Sequence, residues 1–112
     1  MKLPDAERAV VAQAKITEYL LNPAHPDNGG KAAFFLALGF TLEDWQTLAA
    51  ALTALAEKHP VAQSVASPHG QKYIVDGVID TPSGKKPPVR TVWIVDLGLD
   101  TPRLVTAYPQ EE

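Results

Sequence analysis

The hydrophobic positions follow a helical period in the first half of the chain and a two-residue period in the second half. In residues 13 to 21, Ile16, Tyr19 and Leu20 share one face of a helix. Pro23 lies just beyond this stretch, and proline is common shortly after the end of a helix. The first periodic segment therefore predicts an amphipathic helix over residues 13 to 21.

A second helix is predicted over residues 31 to 38, which are almost all apolar. Gly39 closes it, because glycine accepts the left-handed conformation that commonly follows a helix end. The large side chains of this helix are core candidates: Phe34, Phe35, Leu36 and Leu38.

The longest helix is predicted over residues 42 to 58. Thr41, followed three residues later by Asp44, resembles a capping box at its start. His59 precedes Pro60, and a residue before proline is pushed out of the helical region, which ends the helix. The predicted buried stripe consists of Leu42, Trp45, Ala49, Leu52 and Leu55.

After a connector at residues 64 to 70, the pattern changes to short runs rich in β-branched residues, separated by turn residues. An antiparallel meander joined by hairpin turns fits this pattern. The sequence thus predicts an α+β fold, with N-terminal helices on one face of a three- to four-stranded sheet. The predicted strands are Tyr73 to Ile79, Val89 to Val95, and Arg103 to Tyr108.

Alternation assigns the side chains of two strands to the two faces of the sheet. On the middle strand, Thr91, Trp93 and Val95 share one face, opposite Arg90, Val92 and Ile94. On the last strand, Leu104, Thr106 and Tyr108 are predicted to share a face, opposite Arg103, Val105 and Ala107.

Composition narrows the functional classes. The chain has 112 residues, 46% of them hydrophobic, which suits a single domain, 1–112, with a modest core. It has no cysteine, and no two of its three histidines have the spacing of a helical ligand pair, so we expect neither a metal site nor a cofactor. Neither a signal peptide nor a membrane span is recognisable, which predicts a cytoplasmic protein with no membrane partner. The net charge of −3 argues against a general nucleic-acid coat protein.

The junction before the second helix is the first candidate for chemistry. Gly29 and Gly30 leave backbone N–H groups uncovered at a helix start, where a phosphate can bind. Lys31 adds a cation and His25 adds a titratable group. The same composition is typical of a plain turn between two helices, and the junction by itself favours that interpretation.

Polar side chains on two adjacent strands form a second candidate. Hydroxyl groups beside a guanidinium can position a phosphate. Strand propensity alone also explains threonine and tyrosine here, so a purely structural interpretation stays open. The residues of this cluster are Arg90, Thr91, Arg103, Thr106 and Tyr108.

Several segments resemble an uncharacterised bacterial family, a domain of unknown function. They are Lys2-Leu3-Pro4, Lys15 to Lys31, His69 to Asp76, Val89 to Ile94 and Pro102 to Pro109. Members of this family occur as stand-alone proteins and as C-terminal modules of large bacterial conflict proteins, which implies a toxin-like domain.

The order of helices and meander, with early His and Lys and late Arg, Thr and Tyr, is also similar to the barnase, EndoU, colicin and RelE superfamily of metal-independent ribonucleases. This similarity is an analogy of fold order and residue types. It implies cleavage of RNA by attack of the ribose 2′-hydroxyl on its own phosphate. His25 would be the general acid or base. Phosphoryl charge would be held by Lys31, Arg90, Gly29 and Gly30, while Thr106, Tyr108 and Thr91 would position the phosphate.

A non-catalytic function is the alternative hypothesis. A protein-binding, immunity or regulatory module could use the exposed sheet face, or a free edge strand beginning at Arg103, to bind a small cognate protein. The acidic net charge favours this hypothesis. The sequence leaves both functions open, with RNA or a small protein as the partner.

Overall fold

The computed structural model of the chain describes residues 1–26 and 30–110. The longest helix among them spans Trp45–Lys58, and no helix in these ranges is long and apolar enough to cross a membrane. The helical elements in chain order are a 3-10 turn at Ala6–Arg8, α1 (Gln13–Lys15), a π-helical segment π1 (Ile16–Leu20), α2 (Lys31–Ala37) and α3 (Trp45–Lys58).

The second half of the chain forms a four-stranded antiparallel sheet. The strands follow one another in space as they do in sequence, in the order β1-β2-β3-β4, which is a meander. The predicted α+β fold, with N-terminal helices and a C-terminal meander, is confirmed. The strands are β1 (Val61–Ser67), β2 (Gly70–Val78), β3 (Pro88–Asp96) and β4 (Arg103–Pro109).

The first strand, β1, was not predicted, because part of it was assigned to the connector at residues 64 to 70. It pairs antiparallel with β2, from Val61 opposite Val75 to Ser67 opposite Gly70. The side chains of residues 62 to 66 are all exposed, so this strand has no buried face and shows no apolar alternation. Residues 61 to 67 form a strand because their backbone pairs with that of β2.

The core lies between the helices and one face of the sheet. Trp93 and Val75 on the sheet are fully buried, as are Phe35 of α2 and Leu52 of α3, and all four belong to one hydrophobic cluster. This arrangement confirms that the helical layer covers one sheet face. The opposite face carries both polar and apolar side chains, among them Arg90, Val92 and Ile94.

Two predicted core positions are wrong. Leu36 is 37% exposed and Leu42 is 49% exposed. Leu42 precedes α3, which begins at Trp45 rather than at residue 42, so its side chain lies outside the helical stripe. Thr41 Oγ1 accepts the backbone N–H of Asp44 at 3.1 Å, but the N-cap of α3 is Asp44, which makes no side-chain capping hydrogen bond, so the predicted capping box at Thr41 is wrong.

The start of β4 is not a free edge. Val10 forms a parallel bridge with Arg103; its N–H donates to the carbonyl of Pro102 at 2.9 Å, and its carbonyl accepts the N–H of Leu104 at 3.0 Å. The prediction of an open edge strand beginning at Arg103 is therefore wrong. The backbone before α1 occupies this edge.

Candidate functional site

The ammonium group of Lys31 is the centre of a polar cluster beside β4, an edge strand of the sheet. Its Nζ donates to the Tyr19 hydroxyl at 2.6 Å and to Thr106 Oγ1 at 3.0 Å. Thr106 Oγ1 is in turn 3.5 Å from the Tyr19 hydroxyl. These contacts join π1, the first residue of α2 and β4 at one point.

Aromatic rings surround this ammonium group. Lys31 Nζ lies 5.0 Å from the ring centroid of Tyr19 and 5.6 Å from that of Tyr108, both within the range of a cation–π interaction. The imidazole of His25 meets the Tyr19 ring edge to face, with centroids 4.9 Å apart. Four of the predicted site residues, His25, Lys31, Thr106 and Tyr108, therefore lie around Tyr19.

Tyr19 is more acidic than an ordinary tyrosine. Burial by itself raises the pKa of its phenol, but hydrogen bonds with Lys31 and Thr106 and the positive charges of Lys31 and Lys15 outweigh burial and bring the pKa below its ordinary value. Lys15 Nζ lies 5.1 Å from the ring centroid. The phenol is thus a better proton donor than a solvated tyrosine.

A bulge in β4 decides which of its side chains reach Lys31. Val92 is opposite Thr106, but the next β3 residue, Trp93, is opposite Leu104, so Val105 is the extra residue. Cross-strand partners share a sheet face. Leu104 therefore lies in the core with Trp93, whereas Thr106 lies on the opposite face. The prediction that Leu104 shares a face with Thr106 is wrong for this reason.

Arg90 lies beside the cluster, but a carboxylate neutralises it. It is opposite Tyr108 on β4 and Asp76 on β2. Its Nε and a terminal nitrogen donate to the two oxygens of Asp76 at 2.8 and 2.9 Å, a bidentate pair that raises the pKa of the guanidinium further. Arg90 therefore lies beside the cluster with its positive charge paired to the carboxylate of Asp76.

Thr91 and Arg103 lie away from the cluster. Thr91 is fully buried; its hydroxyl donates to the carbonyl of Val75 and accepts the indole N–H of Trp93, each at 2.8 Å. It lies in the core, out of reach of a phosphate, contrary to the prediction. Arg103 pairs with Asp96 at 2.8 Å, at the other end of β4 from Tyr108.

The predicted backbone anion site is described only in part. Gly29 lies outside the described residues. Gly30 is exposed and precedes α2 in the left-handed region, with φ of 86°. Its carbonyl accepts the N–H of Phe34, so it starts the helix as predicted. A phosphate contact at Gly29 or Gly30 stays a prediction.

Two residues of this site, Tyr19 and Lys15, were missed from the sequence. The helical period assigned Tyr19 to a core face together with Ile16 and Leu20. The ring does pack against the core, while its hydroxyl reaches Lys31. Tyr19 lies within the π-helical segment of residues 16 to 20. Segments of this kind are frequent at functional sites.

Two clefts flank the Lys31 cluster. One, of about 260 Å³, is lined by Arg90, Tyr108, Pro109 and Gln110. The other, of about 360 Å³, has Lys15, Tyr19 and His25 among its lining residues. A larger cleft of about 570 Å³ lies between α3 and the β2–β3 loop, but none of the predicted site residues that the structure describes lines it.

Comparisons with known proteins agree with this architecture. The chain shares its fold with a chain from the contact-dependent growth inhibition toxin–immunity protein complex of Klebsiella pneumoniae 342, with a TM-score of 0.71 and 17% identity over 90% of this chain and 99% of that chain. No curated protein matches the sequence at a significant level. A family model described as a domain of unknown function, DUF6883, matches residues 2–111. The chain belongs to the DUF6883 family.

Proposed function

We propose that this protein cleaves RNA without a metal ion, by attack of a ribose 2′-hydroxyl on the adjacent phosphate. The observation that supports this function is the placement of the Lys31 ammonium 2.6 Å from an acidified tyrosine hydroxyl and 3.0 Å from a threonine hydroxyl. A cation surrounded by proton donors can bind a phosphate and stabilise the charge that grows on its oxygens.

The proposed reaction forms a bond between the 2′-oxygen and phosphorus and breaks the bond from phosphorus to the 5′-oxygen. His25 accepts the proton of the 2′-hydroxyl, and Tyr19 donates its proton to the departing 5′-oxygen. Lys31 holds the non-bridging oxygens throughout. The products are a 2′,3′-cyclic phosphate and a free 5′-hydroxyl. The proton that His25 takes from the 2′-oxygen is matched by the proton that Tyr19 gives to the 5′-oxygen.

Residues of β4 orient the substrate in this proposal. Thr106 Oγ1 can donate to a phosphate oxygen in place of its 3.5 Å contact with the Tyr19 hydroxyl, and Tyr108 offers a ring face beside the Lys31 ammonium. The guanidinium of Arg90 lies next to Tyr108, but its ion pair with Asp76 offsets its positive charge. We therefore assign the main role in charge stabilisation to Lys31.

The direct test is incubation of the purified protein with RNA in EDTA. We expect fragments with cyclic-phosphate ends, and a loss of about 10²–10⁴-fold in rate for His25→Ala and Tyr19→Phe. Lys31→Ala should lower the rate as strongly. Tyr73→Phe is the matched control, because Tyr73 lies on β2 and packs against the core. Absence of cleavage at high protein concentration would exclude this function.

The shared fold supports a toxin-type function with a small protein partner. The structural neighbour comes from a complex of a growth inhibition toxin with an immunity protein. For this chain we propose a cognate protein that covers the Lys31 surface and blocks RNA. Controlled expression in a bacterium should slow growth, and Lys31→Ala should restore it.

A non-catalytic binding module is the second candidate function. The observation that favours it is the bidentate Asp76–Arg90 pair, which removes one positive charge from the proposed RNA surface of a chain whose net charge is −3. A healthy culture that makes abundant folded protein, together with no RNA cleavage in EDTA, would favour this candidate over the ribonuclease.

A further inference from the structure

In the part of the chain that the structure describes, no backbone segment pairs with most of the outer edge of β1. Ser67 and Gly70 flank a two-residue turn, so they form the hydrogen-bonded closing pair of the β1–β2 hairpin. Hydrogen-bonded pairs alternate along an antiparallel ladder, which leaves the backbone groups of Ser64 and Ala66 pointing away from β2. Within residues 1–26 and 30–110, the backbone contact of β1 outside the sheet is made by Val61, whose N–H donates to Met1.

Among residues 1–26 and 30–110, none of the usual forms of protection is present along residues 63 to 67 of this edge. Proteins protect edge strands with charged side chains, proline, bulges or covering segments. No residue of β1 is charged or a proline, and its register shift lies between Val61 and Gln63, before this stretch. At the opposite edge, Val10 covers the start of β4 and Pro109 is its last residue.

We propose that the edge of β1 binds the same edge of a second copy of this chain, so that the two sheets join into one of eight strands. A two-fold axis at Val65 places Ser64 of one copy opposite Ala66 of the other. Both residues have outward backbone groups, so each such pair can exchange hydrogen bonds. Gln63 then lies opposite Ser67, and no like charges meet.

The side chain at the axis favours a second copy over an unrelated strand. Val65 is 42% exposed, although it is the β-branched residue in the middle of β1. In the proposed register it lies in a non-hydrogen-bonded pair with itself, where side chains approach each other most closely. The pairing covers this valine with an identical apolar side chain.

The dimer should be weak. The interface consists of one strand from each copy and falls below the size of a standard stable interface. The net charge of −3 on each copy adds repulsion, which salt screens. We expect a concentration-dependent dimer with a Kd of about 10–100 μM that becomes tighter as ionic strength rises.

Sedimentation of the full chain from about 1 μM to about 1 mM tests the proposal. We expect a shift from monomer to dimer for the wild-type protein, and at least a tenfold weaker dimer for Val65→Lys, which places two ammonium groups at the axis. Val78→Lys is the matched control, because Val78 is similarly exposed at 47% on β2 and should leave dimerisation unchanged. A wild-type protein that stays monomeric throughout overturns the proposal, as does dimerisation of Val65→Lys equal to that of wild type.

A cysteine variant tests the register and remains informative if Val65→Lys does not fold. The natural chain has no cysteine, so Val65→Cys introduces a single thiol. Two thiols in a non-hydrogen-bonded pair at the axis are close enough for a disulfide. Mild oxidation should give a covalent dimer for Val65→Cys and a monomer for Val78→Cys. Equal crosslinking of the two variants contradicts the register.

Discussion

At the scale of single residues, the acidity of Tyr19 is the property that most affects the proposed chemistry. Its hydroxyl accepts a 2.6 Å hydrogen bond from Lys31, and the charges of Lys31 and Lys15 further favour the phenolate. These effects outweigh the burial that acts in the opposite direction. The phenol is therefore tuned by two lysines from different segments of the chain.

The lowered pKa of Tyr19 is directly measurable by titration of phenolate absorbance. The chain has three tyrosines, and we expect one of them to ionise below the ordinary value of 10.0. This early phase should be absent in Tyr19→Phe and should move to higher pH in Lys31→Met. Because the protonated phenol is the proposed donor, cleavage should decline as the pH rises through this lowered pKa. An early phase that persists in Tyr19→Phe would contradict the assignment.

Replacement of Thr91 should affect stability and leave the chemistry intact. Thr91→Val removes the acceptor of the buried Trp93 indole N–H, and an unsatisfied buried donor destabilises a protein by about 1–3 kcal/mol. Urea unfolding measures this loss. The same substitution at half-buried Thr106 is the control: Thr106→Val should change stability less but lower RNA cleavage. If folded Thr91→Val and Thr106→Val lost RNA cleavage equally, the assignment of Thr91 to stability and of Thr106 to the candidate site would be contradicted.

At the scale of secondary structure elements, the close packing of β2 against β3 determines the geometry of the sheet. Gly70 begins β2 with φ of 148°, a conformation that side chains rarely adopt. A methyl group there would overlap the backbone of Val95 and Asp96 on β3. The strands can pair at this point because residue 70 has no side chain.

Gly70→Ala should therefore destabilise the protein strongly. Backbone strain and displacement of β3 together should lower the free energy of unfolding by about 2–5 kcal/mol. Gly84→Ala is the control, because Gly84 also has a positive φ, of 86°, but an added methyl group there has no neighbour within 4 Å. We expect about 1–2 kcal/mol for this control. Thermal or urea unfolding of both variants measures the difference, and equal effects would contradict the proposed clash.

At the scale of the whole molecule, the distribution of charge matters more than its sum. The net charge is −3, yet Arg90 lines one of the clefts that flank the candidate site and Lys15 lines the other. Lys31 contacts the rings of Tyr19 and Tyr108, which line these clefts. Asp76 neutralises Arg90 within this group. A local cationic surface of this kind can bind an anion on an acidic protein.

Asp76→Asn should strengthen RNA binding by releasing Arg90. One additional phosphate contact on single-stranded RNA makes the slope of log K against log salt steeper by about 0.7. Fluorescence anisotropy at several salt concentrations measures this slope. Asp96→Asn is the matched control, because it changes the net charge equally but releases Arg103, at the opposite end of β4 from Tyr108. The same gain in both variants would indicate a general charge effect.

The sequence by itself determined the helices, three of the four strands and the face occupied by Trp93, because local periodicity and turn residues encode these features. It also indicated His25, Lys31, Thr106 and Tyr108 as candidates. Only the tertiary structure decided which side chains meet. The Val105 bulge, the covering of Arg103 by Val10 and the formation of β1 all depend on contacts between distant segments, which a local pattern does not record. For the same reason, Tyr19 becomes a site residue only when Lys31 and Thr106 are brought to its hydroxyl.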